Sequence, residues 1–137
     1  MTAATSRADH ALARSLHRHL VRCGGFTLDR HTHRPLTAGV SVSADPSAAW
    51  HGPWATWDHD LVARWVHRHR ARRRRDDLHL GGWLDHHRGE VWLDLVRVFP
   101  EHERGTSLEV GLRHHQRAVF DIGAATVWYL TALGAAG

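Results

Sequence analysis

The chain has 137 residues, 42% of them hydrophobic, with seven tryptophans and a formal net charge of +4. That length and apolar content suit a single packed domain over residues 1–137 and exclude a disordered chain. A lone cysteine, Cys23, rules out an internal disulfide or a cysteine zinc cluster, and no stretch offers the ~20 apolar residues of a membrane helix.

The first helix is expected from about Arg7 to Cys23, with residues 1–6 fraying ahead of it. Thr5 or Ser6 can cap it, and Asp9 stands three residues after Ser6 as a capping-box partner. Leu12, Leu16, Leu20 and Cys23 form one apolar stripe, which predicts a buried Cys23. Gly24-Gly25 ends the helix. "GFTLD" and "LTAGVSVSA" then read as two paired strands around the turn "RHTHRP". Residues 45–57, rich in Trp and Pro, read as an irregular loop.

Asp58 can cap a second helix running to about Arg74, with Leu61, Val62, Trp65, Val66 and His69 on one face. "LGGWLD" and "EVWLDLVRV" make a second hairpin around Gly89. A short helix near Ser107–His115 leads to a third pair, "RAVFDI" and "TVWYL", and residues 131–137 read as a frayed tail. The fold class is therefore α+β: a mainly antiparallel sheet of three hairpins, with two longer helices and one short helix packed on it. The first strand of each pair ends alike, placing Asp29, Asp85 and Asp121 at matching positions, and the first two helices share "DH", "AR" and "HRH". A degenerate αββ repeat is one reading of this; a shared preference for Asp at hairpin ends is the other.

The motifs "LGGWLD", "VWLDLVRVFP" and "QRAVFDIG", between residues 80 and 123, resemble small uncharacterised proteins encoded by actinobacterial phages, plasmids and their hosts. The resemblance implies a cellular context and assigns no catalytic residue. Composition agrees with that context. All eighteen basic residues are arginine, and the chain has no lysine or asparagine, as a GC-rich gene would produce.

Three groups of residues carry candidate chemistry. The run Arg68, Arg70, Arg72, Arg73, Arg74 and Arg75 offers forked donors for nucleic-acid phosphates, or else cations suited to a helix C-terminus. Trp50, Trp54 and Trp57 offer either a lid on the core or an aromatic partner surface. His86, His87 and Glu90 straddle a turn and are the best of a weak set of metal ligands; histidine pairs such as His31/His33 share a face only in an extended segment. No nucleophile elbow, phosphate loop or dinucleotide fingerprint is present. The expectation is a small cytoplasmic interaction module with no cofactor and no membrane partner. It would bind an unknown protein or itself. The alternatives are a non-specific nucleic-acid binder using Arg68–Arg75, and a metal-dependent hydrolase using His86, His87 and Glu90.

Overall fold

The structure is a computed structural model that describes residues 4–116 and 118–130. Helix α1 (Arg7–Cys23) begins with the expected capping box: the Ser6 hydroxyl accepts from the Asp9 amide, and the Asp9 carboxylate accepts from the Ser6 amide. Its stripe buries Leu12, Ala13, Leu16 and Leu20, but Cys23 is exposed. The correction has a simple cause. Cys23 is the last helical residue, one turn past the covered part of the stripe, and Gly24 at φ +74° turns the chain directly into β1 (Gly25–Leu28).

Strands β2 (Val40–Ser43) and β3 (Trp50–Pro53) follow, separated by a 3₁₀ turn at Pro46–Ala48. Next come α2 (His59–Arg68), α3 (Arg70–Asp76), β4 (His79–Asp85) and β5 (Glu90–Phe99). Helix α4 (Arg104–Arg113) and the pair β6 (Ala118–Asp121) and β7 (Thr126–Tyr129) complete the order. All strands pair antiparallel, in the order β1-β4-β5-β2-β6-β7, with β3 also on β5.

The α+β class with an antiparallel sheet thus holds, but only two of the three expected hairpins form as strand pairs. β4–β5 and β6–β7 pair locally, whereas β1 pairs with β4 and β2 with β5 and β6. After β1 the chain makes a turn, closes one bridge between Leu28 and Pro35, and leaves. Proline has no amide hydrogen to extend the ladder. The supposed loop 45–57 contains a real strand, β3, held against the first half of β5.

Two cores result. The larger lies between α1 and α2 and the inner face of β1, β4 and β5, where Leu28, Leu80 and Leu95 form one fully buried cross-strand row. Phe26 lies over Gly82, where a Cβ would meet the phenyl ring at 2.3 Å. On α2 the buried residues are Val62, Ala63, Trp65 and Val66, with Leu61 turned outward. The smaller core gathers Val40, Val42, Val119 and Leu130 beneath α4. There Gly111 lets the helix lie close: a side chain at that position would meet Leu130 at 2.7 Å.

Candidate functional site

The arginine run does not continue the second helix. α2 ends at His69, whose backbone (φ −100°, ψ 6°) leaves helical geometry, and α3 restarts at Arg70 as a separate seven-residue helix. This change of direction sends successive arginines to different surroundings. Arg72 pairs with Asp45 and Asp76, and Arg75 with Asp76. Arg70 reaches back to Asp9 on α1, which is fully buried and also 3.1 Å from the His67 ring. Arg68, Arg70, Arg72, Arg73, Arg74 and Arg75 therefore do not present a single exposed surface.

Arg73 is the exception in the run. It is only 5% exposed, its Nε has no hydrogen-bond partner, and no carboxylate pairs with it among the described residues. One terminal nitrogen donates weakly to the Val66 carbonyl, at 3.4 Å. Burial, then the neighbouring Arg70 and Arg74, pushes its pKa down to about 10. A buried guanidinium without a counterion is costly, because its hydration is lost and not replaced.

Arg73 lines a cavity of about 310 Å³. Arg70 and Arg74 from α3, and Arg30, His31 and His33 from the turn after β1, form the rest of its polar wall. Ala8 and Leu12 of α1 supply an apolar side. The turn is firmly built. The Asp29 carboxylate accepts from the amides of His31 and Thr32, and His33 takes a left-handed backbone at φ 58°. The Arg30 amide donates to His79 Nδ1 at 3.1 Å, and the Arg30 side chain pairs with Asp77 and donates to the Arg74 carbonyl. Burial, and then the Arg73 charge, lowers the pKa of His33.

Four arginines and two histidines face this cavity, and no acidic residue lines it. Asp77 and Asp9 compensate Arg30 and Arg70 from outside it. Arg73 and Arg74 are left with no carboxylate partner among the described residues. Chemically, the arrangement can take an anion.

The other candidates lie elsewhere. Trp50, Trp54 and Trp57 are half-buried and pack on the larger core, with His17 stacked on Trp54 at 4.9 Å. Two exposed tryptophans are on the outer face of the sheet: Trp83 (53% exposed) pairs across strands with Trp92, which stacks on His51 at 4.5 Å. His86, His87 and Glu90 lie around the β4–β5 turn, where Asp85 accepts from the amides of His87 and Arg88. Among the described residues no group of three or more His, Cys, Asp or Glu side chains is placed to hold a metal ion.

Sequence reasoning named the arginine run but missed that Arg30, His31 and His33 complete it. His31 and His33 stood out only as a pair for metal binding, and nothing local marks a turn forty residues upstream as the opposite wall. No protein family, curated protein or solved structure matches this chain.

Proposed function

We propose that this protein acts by binding, and that its partner is anionic and enters the pocket between α1, α3 and the turn after β1. The observation that carries the reading is Arg73: a buried arginine with no carboxylate partner among the described residues, lining an open cavity whose other polar residues are Arg30, His31, His33, Arg70 and Arg74. A buried guanidinium without a counterion calls for an explanation, and an anion would supply strong charge-assisted hydrogen bonds. The reading revises the nucleic-acid alternative, since the cations converge on a concave site and not on a strip along one helix. The motifs read as resembling small actinobacterial phage and plasmid proteins lie on β4, β5 and β6, and an accessory role in the cytoplasm is part of this proposal. Among the described residues no helix is long and apolar enough to cross a membrane.

The test is an anion panel at fixed ionic strength, read by thermal unfolding. Pyrophosphate, citrate and sulfate should raise the midpoint in a saturable way, chloride should not, and Arg73→Met should abolish the rise. If no anion exceeds the effect of ionic strength, the reading falls.

A second reading rests on the outer face of the sheet. The Trp83–Trp92–His51 row is large, aromatic and open, as protein interfaces are at their centres. Self-association through this row would be weakened by Trp83→Ser, measured by sedimentation; a sedimentation coefficient independent of concentration in wild-type protein would exclude it.

A further inference from the structure

We infer that the pocket takes the terminal phosphate of a phosphomonoester, in preference to the bridging phosphate of a nucleic-acid backbone. The inference rests on the anion-binding reading and narrows its ligand class. Three features of the site carry it.

The first is charge. With Arg30 held by Asp77 and Arg70 by Asp9, two cations, Arg73 and Arg74, face the cavity without compensation among the described residues. A phosphomonoester carries roughly −1.5 to −2 at neutral pH and matches two free guanidinium groups, whereas a phosphodiester carries about −1. The second is donor geometry. Arg73 and the exposed Arg74 line the cavity from α3, and Arg30 and His33 line it from the turn after β1. A terminal phosphate has three free oxygens to distribute among such donors; a diester has two and continues on both sides. The third is depth. The buried Arg73 lines a half-open cavity of about 310 Å³, at the lower end of small-ligand sites. A duplex backbone is convex and meets side chains that stand out from the surface, but a chain end can enter. The apolar side made by Ala8 and Leu12 leaves room for a small organic group behind the phosphate.

The experiment compares phenyl phosphate with diphenyl phosphate, and a single-stranded oligonucleotide with and without a 5′-phosphate. Isothermal titration at pH 7.5 is the readout, for wild type, Arg73→Met, Arg74→Met and Arg75→Ser. Phenyl phosphate should bind and diphenyl phosphate should bind at least about tenfold more weakly. Arg73→Met should weaken phenyl phosphate binding by about tenfold or more. Arg74→Met should weaken it similarly, and because Arg74 is exposed this variant keeps the test valid if Arg73→Met does not fold. Arg75 lies outside the cavity and pairs with Asp76, so Arg75→Ser should bind as wild type does. If only the oligonucleotide with a 5′-phosphate binds tightly, the monoester is a nucleic-acid end, and the inference stands. If both oligonucleotides bind and phenyl phosphate does not, the inference falls while the anion-binding reading survives. If phenyl phosphate binds Arg73→Met and Arg74→Met as tightly as wild type, the pocket is not its site and the inference is overturned. If nothing binds, both fall.

Discussion

Asp94 stands on β5 at the point where the neighbour on one side changes from β3, which pairs with residues up to Leu93, to β2, which begins at Val96. Its carboxylate accepts from the Leu95 amide at 2.8 Å and lies beside the buried Ser43 hydroxyl. Burial, opposed by these donors and reinforced by the Asp45 charge, pushes its pKa up to about 6. The folded state therefore holds this proton more tightly than the unfolded chain, where the value is 3.8. Its contribution to stability is full below pH 3.8 and is lost as pH rises through 6. Asp94→Asn keeps the acceptor for Leu95 and removes the charge. It should be near neutral at pH 4 and stabilising by about 2–3 kcal/mol at pH 7.5. Urea unfolding at the two pH values checks this; an equal effect at both would show that Asp94 is not the source. Arg73 is the opposite case, a buried cation that α3 keeps without a counterion, and its cost is the physical reason to look for a ligand there.

The three turns show what one local pattern can and cannot specify. Asp29 follows β1 while Asp85 and Asp121 end β4 and β6, and each carboxylate accepts from amides two or three residues on. Four residues after each aspartate the chain takes a left-handed residue: His33 at φ 58°, Gly89 at φ 63° and Ala125 at φ 50°. The repeated sequence thus encodes a repeated turn, but not a repeated αββ unit, because β1 pairs with β4 and not with β2. The turns should differ in what their aspartates contribute. Asp85→Ala and Asp29→Ala remove turn hydrogen bonds at half-buried sites and should each cost about 1 kcal/mol. Asp121 is buried and pairs with Arg104, whose guanidinium also lies over the Trp128 ring at 4.7 Å. Asp121→Ala breaks a partly buried ion pair as well as the turn and should cost about 3 kcal/mol. Urea denaturation of the three variants checks the ranking, and equal losses would contradict it. The caps of α1 and α2 and the two local hairpins were legible in the same way, because Ser6, Asp58 and Gly89 act on their own neighbours. β3 was not legible. Trp50-His51-Gly52-Pro53 has poor strand propensity, and its pairing with β5 is decided some forty residues away. The pocket was half legible: the charges were plain, but the break at His69 that turns Arg73 inward is set by tertiary packing.

At the scale of the whole molecule the two ends of the chain are interleaved, since β1 pairs with β4 and β2 lies between β5 and β6. The turn after β1 is consequently pinned against α3 and β4, and histidine is part of the pin. His79 Nδ1 accepts from the Arg30 amide, which requires the neutral ring. Burial is the leading cause that lowers the pKa of His17, His19, His33, His69 and His79 alike. For a histidine with a depressed folded pKa, stability is complete above the unfolded value of 6.5 and falls as pH drops through it, because the unfolded chain takes up protons that the folded one refuses. Asp94 works in the other direction between about pH 6 and 4. We expect the five histidines together to outweigh Asp94 on acidification. The thermal midpoint should fall from pH 7.5 to pH 5.5, and unfolding near pH 6.5 should be accompanied by proton uptake, measured by calorimetry in buffers of different ionisation enthalpy. The decline should steepen in Asp94→Asn, where nothing opposes the histidines. His79→Gln should flatten it, because an amide at this position does not titrate and its oxygen can accept from Arg30. A midpoint that rises on acidification, or proton release on unfolding at pH 6.5, would show that these five histidines do not govern the acid response of the fold.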